Sequence, residues 1–218
     1  MSIDQQPSEA PSRELLKRLL SERNQYPERA AAIDAKVFAI FSRKIAILAL
    51  DMCGFSRATE EHGIVHFLAM IHQMEQAAVP AISGNGGQVI KQEADNLFAI
   101  FVDPVHALEA ALDIFRAFNA MNAVRPDERD IFGSIGIGFG NTLIIDDHDL
   151  FGYEMNAACK LGEDLAKKME ILLTPAAYEA LPEGHYQCVR EDFVAGGIDL
   201  QSYRFEKSWF PRPRRSSV

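Results

Sequence analysis

Cysteine is scarce in this chain. Cys53, Cys159 and Cys188 are scattered over 218 residues with no CxxC spacing, which excludes a disulfide framework and fits reduced thiols. The six histidines show neither HExxH nor clustered spacing, so a histidine-built zinc site is not expected. Positive charge is short as well: 22 Lys and Arg against 31 Asp and Glu give a formal net charge of −9. That balance argues against nucleic acid or an anionic membrane as the main partner. A small anion, by contrast, needs only a local positive site. No apolar run is as long as a membrane span, and the opening "MSIDQQPSEAPSRE" lacks the apolar stretch of a signal peptide. A cytoplasmic protein is expected.

What is present is a core. Hydrophobic residues make up 48% of the chain, which suits one sizeable domain with appendages. Residues 1–12 are polar and rich in Pro and Ser, so a disordered N-terminus is expected. Residues 13–43 read as a helical lead-in, with Leu15, Leu16, Leu19 and Leu20 on one stripe and a break or first helical turn at Pro27. The lead-in either packs on the domain or pairs with a second copy. The domain itself is expected over 44–207, and 208–218 as a basic, flexible tail.

Within the domain, strands and helices alternate. "KIAILALD" is nearly all apolar, as a strand buried on both faces should be. "GIVHFLAMIHQMEQAAVPAI" and "PVHALEAALDIFRAFNAMN" carry helical spacing, and "MNAACKLGEDLAKKM" reads as a further helix. "FGSIGIGFG" and "NTLII" read as two successive strands, "EILLT" as another, and two more close the chain near "YQCVRE" and "QSYRF". In "QVIKQEADNLFAIF", Val89–Ile90 and Leu97–Phe101 read as paired strands around a charged turn, Lys91 to Asp95. The order predicts an α+β fold: a mixed, mainly antiparallel sheet with helices packed on it.

Two carboxylates stand out. Asp51 ends the apolar strand and precedes a glycine-containing turn into a helix. Such a turn offers outward N–H groups to phosphate, and a carboxylate there can hold a divalent cation; capping of the turn is the plainer role. Asp95 starts a strand able to lie beside that of Asp51. Converging carboxylates repel unless a cation or a proton lies between them.

In order along the chain, "LALDMCGFS", "GGQVIKQEADNLFAIF", "IGIGFG", "DLFGYEMNAACKL" and "EILLTPAAYEAL" resemble the catalytic domains of class III adenylate and guanylate cyclases. The resemblance spans about Lys44 to Tyr203. It implies a ferredoxin-like nucleotide cyclase fold acting as a homodimer, with sites at the interface. It also implies a phosphorus-oxygen lyase that makes 3′,5′-cyclic AMP and pyrophosphate from ATP, using two Mg²⁺ or Mn²⁺ ions. On this resemblance Asp51, the Met52 position and Asp95 hold metal, and the turn through Cys53, Gly54, Phe55 and Ser56 cradles the triphosphate. Lys91 and Asp149 read adenine, Asn156 orients the ribose, and Lys160 balances developing charge. A separate protein could supply the regulation.

The pattern departs from the family in four places. Lys160 replaces the usual arginine, keeping the charge but losing the planar fork. Where a lysine usually grips the terminal phosphates, Ala195, Gly196 and Gly197 stand; Arg190 or Arg204 are the available substitutes. The segment from Gly140 to Asp149 is short, and Ala94 replaces a glycine at a turn. These departures keep open a weakly active or inactive cyclase-like binding module, or a cyclase of another nucleotide.

Overall fold

The leucine stripe of the lead-in forms a helix, α1 (Arg13–Gln25), begun by Ser12, whose Oγ accepts from Leu15 N at 3.2 Å. A single 3₁₀ turn starts at Pro27, and α2 (Ala30–Phe41) follows. Leu15, Leu19, Ile33, Val37 and Phe41 close an apolar cluster with Ile145 of the domain, so both helices pack on their own chain. The computed structural model describes residues 10–54, 60–126, 129–195 and 198–206. The expected disordered segment up to residue 9, the basic tail 208–218, Phe55, Ser56, Gly196 and Gly197 lie outside the described residues.

The strands are β1 (Ser42–Met52), β2 (Gln88–Glu93), β3 (Asn96–Phe101), β4 (Gly133–Ile145), β5 (Asp149–Phe151), β6 (Ile171–Leu173), β7 (Cys188–Ala195) and β8 (Ile198–Phe205). They form one sheet in the order β2-β3-β1-β4-β6-β8-β7, with β5 on β4. Only the β4–β6 pairing is parallel among the described strands. The helices of the domain are α3 (Ile64–Gly84), α4 (Pro104–Asn122), α5 (Tyr153–Cys159) and α6 (Pro175–Glu179). This is the mixed, mainly antiparallel α+β architecture that the element order predicts.

β1 alternates between two cores. Ala46, Leu48, Leu50 and Met52 face the larger one, with Phe67, Met74, Leu108, Phe115 and Phe118 of α3 and α4. Ile45, Ile47 and Ala49 face a smaller one with Ile90, Phe98, Met155 and Ala158. The glycines of "IGIGFG" explain how α5 reaches that second face. Gly136, Gly138 and Gly140 lie opposite Ala49, Ile47 and Ile45. A Cβ on Gly136 would sit 2.0 Å from the Ala158 carbonyl oxygen, and one on Gly138 would sit 2.5 Å from that of Glu154. The missing side chains let α5 lie directly on the sheet. Glu154 Oε2 fastens it, accepting from Phe139 N at 3.0 Å and Thr174 Oγ1 at 2.7 Å.

Three local expectations are corrected. "FGSIGIGFG" and "NTLII" form one strand, because Asn141 and Thr142 continue the ladder opposite Lys44 and Arg43. The helix over "MNAACKLGEDLAKKM" stops at Cys159 and continues as a π-helical turn, Lys160–Leu165, because Gly162 drops against β1 and β4. The β2–β3 hairpin is tighter than expected: pairing continues to Glu93–Asn96, leaving Ala94 and Asp95 as the turn and placing Lys91 within the edge strand. Ala94 adopts φ 52°, a conformation that presses its Cβ against the backbone. Ala94→Gly should therefore raise stability by about 0.5–1 kcal/mol, after allowing for glycine's looser unfolded state. Thermal melts of the two proteins check this.

Candidate active site

Asp51, on β1, lies directly between Asn96 of β3 and Ser134 of β4. Side chains so paired share one face of the sheet, here the face covered by α5. Asp95 stands at the hairpin turn beside Asn96. The Asp51 carboxyl is pushed up to about 7, first by burial and then by the negative charges of Asp95, Glu163 and Asp164. Glu163 and Asp164 come from the π-helical turn, which closes with a 2.8 Å bond from Ala166 N to Leu161 O. Sequence reasoning missed both, since an acidic pair late in a helix reads as a solvated face. Gly162 was the available signal: a Cβ there would meet Ala49 O at 2.8 Å.

These residues fit a hard divalent cation. The donors are carboxylate oxygens that repel one another without a positive charge between them. Asn96 Oδ1 is buried on the same face with no hydrogen-bond partner, an orphan that a cation or its hydration shell would satisfy. Among the described residues no three His, Cys, Asp or Glu side chains group closely enough to hold an ion. Asp51 and Asp95 would therefore need further oxygen ligands from backbone or from a phosphorylated ligand.

The adjoining turn is narrower in its chemistry than the sequence implied. Met52 buries its side chain in the larger core, so only its backbone can face a ligand. Cys53 N already donates to Phe132 O at 2.9 Å, which removes one N–H from the expected phosphate cradle. Gly54, at φ 95° with open space around its Cα, keeps an accessible backbone. The Cys53 thiol lies 3.6 Å from Ser134 Oγ, and burial raises its pKa. Lys168, which sequence reasoning passed over, stacks its Nζ on Phe132 and extends its field to Cys53.

Lys91 and Asp149, 58 residues apart, meet where β2 lies beside the start of β5. Lys91 Nζ lies 3.8 Å from Asp149 Oδ1, 2.8 Å from Glu93 Oε1 and 5.3 Å from the centre of the Phe98 ring. His148 Nδ1 donates to Ile90 O at 3.3 Å and ties the turn before β5 to β2. Asp149 also accepts from Arg13 Nη2 of α1, a contact the sequence gave no sign of.

On α5, Asn156 is exposed and Lys160 half-buried. Lys160 N donates to Asn156 O and Ala157 O, so helical geometry holds across this turn and the two residues share a face. Beside Lys160, burial pushes the Cys159 thiol up to about 12, which keeps it protonated and inert. The two proposed substitutes for the absent phosphate lysine are both engaged. Arg204 binds Glu191 at 2.6 Å and Glu206 at 3.1 Å, and Arg190 binds Asp192 at 3.1 Å.

No family model matches the chain. It is 28% identical over 141 residues to a Rhizobium meliloti (strain 1021) protein named a putative adenylate cyclase, covering 65% of this chain and 24% of that protein. The chain thus spans about a quarter of the length of this curated relative. Among solved structures, the adenylate/guanylate cyclase/hydrolase from Silicibacter pomeroyi matches at 26% identity and TM-score 0.63, over 75% of this chain and 96% of that one. The adenylyl cyclase CyaB from P. aeruginosa matches at 19% and 0.62, over 77% and 95%. The guanylyl cyclase Cya2 matches at 14% and 0.66, over 77% and 95%. At those lower identities the likeness is one of fold. The chain has the fold of adenylate and guanylate cyclase catalytic domains, and the two relatives above 25% identity support the same class. Because both cyclase types share the fold, the nucleotide must be argued from side chains.

Proposed function

We propose that this domain converts ATP to 3′,5′-cyclic AMP and pyrophosphate as a homodimer. The observation that carries the reading is the meeting of Lys91 and Asp149 in the same domain that sets Asp95 close enough to Asp51 to raise its pKa. An ammonium donates to a ring nitrogen of adenine, and a carboxylate accepts from its exocyclic amine; guanine offers the reverse pattern at those positions. Exposed Phe151 and Tyr153, flanking Asp149 and Asn156, supply apolar area for a second copy.

Asp51 and Asp95 would hold Mg²⁺ or Mn²⁺, with Met52 contributing through its backbone. When bound, such ions lower the pKa of a hydroxyl and neutralise phosphate charge. The Gly54 backbone steadies the triphosphate. Asn156 orients the ribose so that its 3′-oxygen gives up its proton to water and bonds to the α-phosphorus. The bond from that phosphorus to the bridging oxygen breaks, and pyrophosphate leaves with the electron pair. Lys160 offsets the charge that gathers on the transferring group. A second reading, a nucleotide- or partner-binding module with little chemistry, is favoured by the engagement of Arg190 and Arg204 with carboxylates.

The test is to incubate the protein with ATP, GTP, CTP or UTP, in Mg²⁺ and in Mn²⁺, and to separate the products, with Asp95→Ala as control. Cyclic AMP from the wild type alone supports the proposal. A different cyclic product overturns the base assignment, and no product from a folded dimer supports the binding module. Lys160→Arg should raise kcat about tenfold with little change in KM, because the restored fork makes two contacts where lysine makes one. Steady-state kinetics at saturating ATP read this directly.

A further inference from the structure

The lead-in helix reaches the nucleotide-facing pair directly. Arg13, the first residue of α1, donates through Nη2 to Asp149 Oδ2. Three further contacts fix where that guanidinium stands. Arg13 N donates to both oxygens of Asp146 at 3.2 Å, and Asp146 N donates to Pro11 O at 3.1 Å. Leu15 and Leu19, two and six residues along the helix, are buried against Ile145. The start of α1 is thus docked, through backbone, side chain and core, on the β4–β5 turn that presents Asp149.

The geometry around Asp149 has a particular form. Its Oδ1 lies 3.8 Å from Lys91 Nζ, outside hydrogen-bond distance. Each member of the pair is instead held by an outer partner: Lys91 by Glu93 at 2.8 Å, and Asp149 by Arg13. Without such tethers an ammonium and a carboxylate this near would close into direct contact. Closed, each would turn a donor or an acceptor toward the other and away from a base.

We infer that Arg13 is a positioning residue for base selection, holding Asp149 away from Lys91 so that one oxygen stays open to the purine amine. The inference rests on Asp149 and Lys91 being the base-reading pair of the proposed function. It assigns to the lead-in a part in substrate choice, and it makes the docking of α1 a condition for that choice.

The experiment compares wild type, Arg13→Lys, Arg13→Ala, Asp149→Ala and the Arg13→Ala/Asp149→Ala double variant. Binding of 3′-deoxy-ATP and 3′-deoxy-GTP, which cannot cyclise, is measured by calorimetry with Ca²⁺, alongside kcat and KM for ATP. Arg13→Ala should weaken binding of the adenine nucleotide and raise KM roughly tenfold, with kcat within about twofold. Preference over the guanine nucleotide should fall by the same factor. Arg13→Lys should recover part of the loss, and Arg13→Ala should have no further effect once Asp149 is absent. Unchanged affinity overturns the inference, as does an equal loss in the Asp149→Ala background. Tighter adenine binding overturns it too, since Arg13 would then be competing with the base. A wild type with base preference but no product sinks only the cyclase reading; a wild type with no base preference sinks both.

Discussion

Asp51→Asn should abolish cyclic-nucleotide formation and, in chelator-treated protein at pH 8, raise the thermal midpoint. Both effects have one origin. Asp51 is half-buried beside the charges of Asp95, Glu163 and Asp164, which pushes its carboxyl from 3.8 up to about 7. A carboxyl whose folded pKa is raised contributes stability below its unfolded pKa, and that contribution disappears as pH rises through the folded value. The wild type therefore loses it between about pH 4 and pH 7. Asparagine keeps the shape without the charge, so the midpoint of the variant should pull ahead across that window and hold its lead above it. Melting curves from pH 4 to pH 9 read the difference. Turnover should fall at least about 10²–10³-fold, the range for losing one electrostatic partner of a transition state. A variant less stable than wild type at pH 8 would refute the crowding of negative charge at this site.

Gly136→Val should lower stability by about 3 kcal/mol, the upper end for overpacking, and with it the thermal midpoint by about 6–12 °C. A Cβ at this position would lie 2.0 Å from the Ala158 carbonyl oxygen and 2.7 Å from Gly162 N. Both obstacles are backbone, so no side chain can swing aside. α5 and the turn after it must lift off the sheet, carrying Asn156, Lys160, Glu163 and Asp164 with them. Activity should therefore fall further than the folded fraction does. Gly84→Ala is the matched control: no atom lies within 4 Å of the added methyl, and alanine favours a helix. Its midpoint should stay at or slightly above that of wild type. An active, unshifted Gly136→Val protein would show that α5 does not rest on the β4 glycines.

Much of the architecture was legible because it is written locally. Six apolar residues before Asp51 predicted a strand buried on both faces, and helical spacing marked α1, α3 and α4, since periodicity reports directly which side of an element is covered. Boundaries were less legible wherever tertiary pairing outweighed local preference. Asn141 and Thr142 look like a break, yet continue the ladder because Lys44 and Arg43 lie opposite them. Gly162 ends a helix early because a strand passes too close for a side chain.

The site divides in the same way. The carboxylates Asp51 and Asp95 and the charged turn at Lys91 could be nominated from residue type and position, whereas Asn156 and Lys160 were nominated by the resemblance to cyclase domains. The sequence also determined the alternation of glycine with apolar residues in β4. Only the tertiary structure decided that Lys91 and Asp149 face each other, that Glu163 and Asp164 crowd Asp51, that the Cys53 N–H is already engaged, and that Arg13 reaches Asp149. Each of these is a distance between residues far apart in the chain. Such distances are set by sheet register and by how closely helices can approach, and no local pattern encodes either.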